Sequence, residues 1–196
     1  MVFYKIAHFL VEMYIRIVFR YKVTGRENIP EGGCLVCARH YSMSDPIYVA
    51  IGLGRKHRVS FMAKKELFKN KLLGWLISSL GAFPVERGTG DLGAIKSAVN
   101  VLKQGRKLIL FPEGTRVEYD TPLEQLKTGA AMIATHAKMP ILPLYLTPKR
   151  KYFKRLNARF GQVISSENPD GLKSAEHYEN INIQLVQSLN ALEAGQ

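Results

Sequence analysis

The chain of 196 residues predicts an α/β domain whose mostly parallel central sheet is flanked by helices. Short apolar runs alternate with amphipathic segments along nearly the whole chain, and most apolar runs end in a polar loop carrying glycine or proline. The length suits one core, which at this size buries roughly 70% of the unfolded chain's surface. We divide it into an N-terminal amphipathic helix, residues 1–20, and a single domain, residues 21–196.

The first segment, VFYKIAHFLVEMYIRIVFRY, is apolar but carries Lys5, His8, Glu12, Arg16 and Arg20. At about 100° per residue these fall within an arc of roughly 120°, so one narrow face is polar and the rest is apolar with interleaved aromatics. A signal peptide would lack the mid-segment Glu12 and end in small residues, a spanning helix would have to submerge several charges, and no other segment reaches the roughly 20 apolar residues needed to cross a bilayer. The reading is a helix lying in the membrane interface, with docking on the protein's own core as the alternative.

Beyond it, YKVTG reads as a short strand and RENIPEGG as a turn. CLVCAR is a strand, PIYVAIGL a helix with Pro46 in its first turn, and RVSFMAK a strand. KELFKNKLLGWLISSL reads as one helix, GAFPVER as a strand, and DLGAIKSAVNVLKQ as a helix ended by Gly105. KLILF is a strand that opens into PEGTR, KTGAAMIATHAK is helical, ILPLYL is a buried strand, and HYENINIQLVQSLNALE closes the chain as a helix.

Lys and Arg number 28 against 16 Asp and Glu, a formal charge of +12, which favours anionic partners. KRKYFKR, Lys149 to Arg155, mixes five cations with two aromatics and suits a nucleic acid or an anionic membrane. The N-terminal helix favours the membrane, so no nucleic-acid partner is expected. Cys34 and Cys37 lie three apart in one strand and face opposite sides, which excludes a bridge between them; a lone CxxC supplies half of a zinc site, so no metal is expected. A reduced pair fits a cytosol-facing compartment.

In parallel sheets the loops at the carboxyl ends of the strands collect functional groups. Three such loops are HYSMSD, the ERG after GAFPV, and PEGTR. His40 becomes a general base if Asp45 accepts its other ring N–H; equally, Asp45 before Pro46 can cap the helix. There is no G-x-S-x-G nucleophile elbow, so a base here would activate a substrate hydroxyl. Lys64, Lys65, Arg87 and Arg116 stand near strand ends and suit a phosphate, and Glu113 either accepts from a sugar or glycerol hydroxyl or pairs with Arg116. GTGDLG, Gly88 to Gly93, has the outline of a dinucleotide fingerprint, but the strand before it is short and ends in Glu86 and Arg87.

Together these stretches resemble the glycerolipid acyltransferases, specifically the bacterial 1-acyl-sn-glycerol-3-phosphate acyltransferases. His40 and Asp45 match the first motif; Lys64, Leu67, Gly74 and Arg87 match the spaced second; Glu113, Gly114, Thr115 and Arg116 form the third; and MPILPLYL, with Pro140 and Pro143, matches the fourth. The resemblance implies a glycerol-3-phosphate acyltransferase-like fold and transfer of a fatty acyl group from a thioester of acyl carrier protein or coenzyme A to the sn-2 hydroxyl of lysophosphatidic acid. It implies His40 as base and Asp45 as its orienting partner. Lys64, Arg87 and Arg116 would hold phosphate, and Glu113 would help place the glycerol. Residues around Trp75 are either an acyl-chain shelter or core. No cofactor is implied, and the expected location is the cytoplasmic face of the cell membrane. Rival readings are an acyltransferase for another lysophospholipid, a nucleotide-dependent oxidoreductase built on GTGDLG, and a non-catalytic basic module.

Overall fold

Five apolar runs find one another as parallel strands, and the computed structural model describes residues 2–85 and 92–195 around them. These strands are β2 (Cys34–Ala38), β3 (Val59–Lys64), β4 (Ala82–Val85), β5 (Lys107–Leu110) and β6 (Ile141–Leu146). With β1 (Lys22–Thr24) and β7 (Asn157–Phe160) they make a seven-stranded sheet in the order β1-β7-β6-β2-β5-β3-β4. β7 runs antiparallel to β6 and parallel to β1, so the edge pair points against the other five. β2 and β6 are buried along their whole lengths, as expected for strands covered on both faces.

The period of two sends alternate side chains into two cores. Cys34, Val36 and Ala38 face the layer of α1 (Val2–Phe19) and α2 (Asp45–Leu53), while Leu35 and Cys37 face α4 (Leu92–Lys103), α5 (Gly129–Ala137) and α6 (Ser174–Ala194). The cysteines thus lie on opposite faces, both buried and unbridged. Burial pushes the Cys34 thiol up to about 12 and that of Cys37 higher still.

Helix α1 combines both readings of its sequence. Val11, Ile15, Val18 and Phe19, one stripe at helical spacing, pack on the α2 side of the core. Ile6, Phe9, Leu10, Met13, Tyr14 and Ile17 form a second apolar stripe that stays exposed, Ile17 at 66%. Among the described residues no helix is long and apolar enough to cross a membrane.

Three details correct the sequence reading. KELFKNKLLGWLISSL is not one helix: Lys65–Phe68 forms a 3-10 turn, and Asn70 starts α3 (Lys71–Ser79) by accepting from Leu73 N at 3.0 Å. Strand β7 follows the basic run unannounced, because NARF is too short to show a pattern and gains its geometry from pairing on both sides. The KRKYFKR run is not uniformly a surface patch, since the Arg150 side chain is withdrawn from solvent. Arg87 and the Gly88–Gly90 part of GTGDLG lie outside the described residues.

Candidate active site

Sheet order decides which loops meet. Because β2 lies between β5 and β6, with β3 beyond β5, the loops after β2, β5 and β6 share one rim and Lys64 ends β3 farther along it. His40 and Asp45 belong to the first of these loops. His40 Nδ1 lies 2.8 Å from Asp45 Oδ2, both side chains are buried, and the imidazole stacks on Phe111 with ring centroids 4.1 Å apart.

Asp45 does not cap its helix. Ser44 is the residue before the first turn, and Asp45 Oδ2 instead accepts backward from Tyr41 N at 2.7 Å and Ser42 N at 2.8 Å. Those bonds close the tight turn that lets a residue at the start of α2 face His40, while Pro46 lies in the first helical turn where its missing N–H costs nothing. Burial opposes ionisation of Asp45, but the His40 bond, the Arg150 guanidinium and the Ser42 and Tyr41 amides outweigh it and hold the carboxyl below its ordinary value. With Nδ1 directed at the carboxylate, Nε2 is the nitrogen left for a proton transfer.

Glu113 is engaged by the protein rather than by Arg116. Its Oε1 accepts from Arg39 Nε and its Oε2 from the His40 backbone N–H, each at 3.0 Å. Arg39 also donates to Thr121 O at 2.7 Å and reaches Glu193 of α6 at 3.5 Å, so the base of the rim is tied to the last helix. Val117 N donates to His40 O at 2.8 Å, fixing His40 from the other side. Gly114 adopts φ +74, and a Cβ there would sit 2.8 Å from Lys127 Nζ. The EGTR turn therefore favours glycine for its left-handed backbone, whereas the flexible Lys127 side chain lying across it can swing aside.

Lys64 and Arg116 are exposed on this rim side, as is Thr115. Sequence reasoning missed three charges: Arg39, Lys127 and Arg150. Arg39 had a visible signal, a cation ending a fully apolar strand; Arg150 had none, since it stands among like charges far along the chain from Asp45.

A family model described as Acyltransferase matches residues 20–147, which include the loops carrying His40, Lys64 and Glu113. The 1-acyl-sn-glycerol-3-phosphate acyltransferase of Bacillus subtilis is 33% identical over 178 residues, covering 88% of this chain and 87% of the relative. The protein of that name from Streptococcus pneumoniae is 44% identical over 114 residues, which cover 58% of this chain and 41% of the relative, less than half its length. Among solved structures, the 1-acyl-sn-glycerophosphate acyltransferase PlsC of Thermotoga maritima superposes with a TM-score of 0.69 at 25% identity, over 97% of this chain and 78% of that one. By the family match over most of its length, by a relative one third identical along nearly all of it, and by a solved acyltransferase of the same fold, the chain belongs to the acyltransferase family.

Proposed function

We propose that the chain transfers a fatty acyl group from an acyl thioester to the sn-2 hydroxyl of lysophosphatidic acid, forming phosphatidic acid. The observation that carries this reading is the 2.8 Å contact between His40 and Asp45 on the rim beside the EGTR turn, in a chain whose relatives bear the name of that activity. His40 Nε2 takes the proton from the acceptor hydroxyl as its oxygen attacks the thioester carbonyl, and the imidazolium returns the proton to the departing thiolate. Asp45 stabilises that imidazolium and fixes its tautomer. The thioester is already activated, so no cofactor and no acyl-enzyme enter the scheme.

Lys64, Arg87 and Arg116 bind the acceptor phosphate, helped by the Gly114–Thr115 turn; Glu113 works by holding the His40 backbone and has lone pairs left for an acceptor hydroxyl. The exposed stripe of α1, together with Trp75 on α3 and Tyr152 and Phe153 after β6, supports a protein lying on a bilayer; the excess of cations suits an anionic surface, and the unbridged cysteines suit the cytoplasmic face. The basic balance suits either acidic donor, acyl carrier protein or coenzyme A.

Purified protein incubated with lysophosphatidic acid and each thioester in turn tests the reading by release of phosphatidic acid and free thiol in equal amounts. Thiol release without phosphatidic acid, or no turnover with either donor, overturns it.

A further inference from the structure

Arg150 lies within a run of cations after β6, yet its side chain is 8% exposed. Its Nη2 abuts Asp45 Oδ1 as an ion pair rather than an aligned hydrogen bond, and its guanidinium sits 4.7 Å from the centre of the Tyr48 ring. The loop that carries it is pinned to the end of α1: Phe153 N donates to Val18 O at 2.7 Å, Leu156 N donates to Phe19 O at 2.9 Å, and Tyr152 stacks on Phe19. A guanidinium withdrawn from water between an aromatic ring and a carboxylate is badly placed to meet a lipid phosphate. It is well placed to act on that carboxylate.

The two oxygens of Asp45 have separate tasks. Oδ2 receives His40, Tyr41 N and Ser42 N, whereas Oδ1 faces Arg150. Without a cation at Oδ1 a fully buried carboxylate has less reason to stay ionised and less to stop it turning about its own axis.

We propose that Arg150 is a positioning residue for acyl transfer: by pairing with Oδ1 it fixes the Asp45 carboxylate, so that Oδ2 holds His40 in the single tautomer that leaves Nε2 open to the acceptor hydroxyl. The inference rests on His40 being the base of the reaction proposed above. The side chains facing Asp45 are His40 from its own loop, Arg150 from the loop after β6 and Tyr48 from α2, and the Tyr41 and Ser42 amides complete its surroundings. Among the described residues Arg150 is thus the cation that neutralises this carboxylate while His40 is uncharged.

The test uses the full chain with Arg150→Gln and Arg150→Lys, measuring kcat and KM for lysophosphatidic acid across pH, Tm, and the His40 imidazole by NMR. Arg150→Gln is expected to lower kcat about 10- to 100-fold, less than the larger part of the about 10²- to 10⁴-fold span for loss of a general base, with KM for the acceptor nearly unchanged. The acid limb of the kcat profile should move upward by about one pH unit, the size of shift that a lost neighbouring cation produces. Arg150→Lys should recover part of both effects, and in Arg150→Gln the His40 ring should lose its single tautomer.

A raised KM with the acid limb unmoved would make Arg150 a phosphate ligand. A fall in rate that only follows the folded fraction would make it structural, and either result overturns the proposal. Wild-type protein inactive with every thioester sinks the functional reading instead; the NMR arm then decides alone, and an unchanged His40 tautomer in Arg150→Gln rejects the role given to Arg150.

Discussion

At the rim where β2, β5 and β6 end, buried charges come with opposite charges, whereas at the far end of β5 a lysine is buried against backbone. His40, Asp45 and Arg150 form one group and Arg39, Glu113 and Glu193 another. Lys107, by contrast, is 1% exposed, and its ammonium donates to Pro30 O and to Gly32 O, the latter at 2.7 Å. Burial lowers the pKa of Lys107 despite the carbonyl bonds, while the paired Asp45 stays ionised. A counter-charge preserves charge in a dry place, as a proton-transfer site needs; carbonyl dipoles hold an ammonium well enough to pin a turn but leave it costly. One end of the sheet carries paired buried charges, and the other a buried ammonium that pins a turn.

The largest effect that sharpens this contrast comes from His40→Ala. Acyl transfer should fall by about 10²- to 10⁴-fold, with Tm close to wild type because Asp45 keeps Arg150. Wild-type turnover in the purified variant would dissolve the distinction between the two ends.

Lys107→Met is the matching change below. It frees two carbonyls of the Pro30–Gly32 turn and should cost about 1–3 kcal/mol in denaturant unfolding, with kcat per folded molecule unchanged. A lower kcat at full stability would show that the lower end takes part in the chemistry.

Acid should loosen the two ends in a fixed order. His57, near Lys107, is held below its usual pKa by burial, then by the charges of Lys107 and Lys56. Its contribution to stability is complete above about pH 6.5, the unfolded value, and is lost as pH falls through the lower folded value, because the unfolded chain takes the proton first. Asp45 is also depressed, from a lower starting point: its contribution is present above about pH 3.9 and lost only as pH falls through a folded value beneath that. Amide exchange measured against pH should therefore show protection around residues 57–59 and 107 declining before that around 40–45, and the reverse order would break the comparison.

The smallest effect concerns the thiols between the two ends. Cys34 and Cys37 are fully buried with thiols pushed far up, so neither should take up a maleimide at neutral pH until the chain unfolds. Rapid labelling of the native protein would mean that β2 opens locally.

Several elements of this picture were legible in the linear chain and others were not. CLVCAR, RVSFMAK and ILPLYL read as strands because an apolar run bounded by turn residues depends on neighbours a few positions away. His40 and Asp45 read as a pair for the same reason, being five residues apart at the end of a strand. The break at Asn70 has a local signal too: asparagine before an amphipathic run starts a helix. Strand β7 and the withdrawal of the Arg150 side chain have none, since both depend on segments brought together across the sheet.

The alternation of strands and helices, the polar loops at the strand ends and the motifs they carry can be read along the chain, because these arise from local sterics and hydrophobic period. That Glu113 holds His40 rather than Arg116, that Asp45 turns back from its helix, and that Arg150 closes the group from beyond β6 emerge when the strands assemble. Those contacts depend on strand order, and strand order is set by packing two cores at once, which no short window of residues contains.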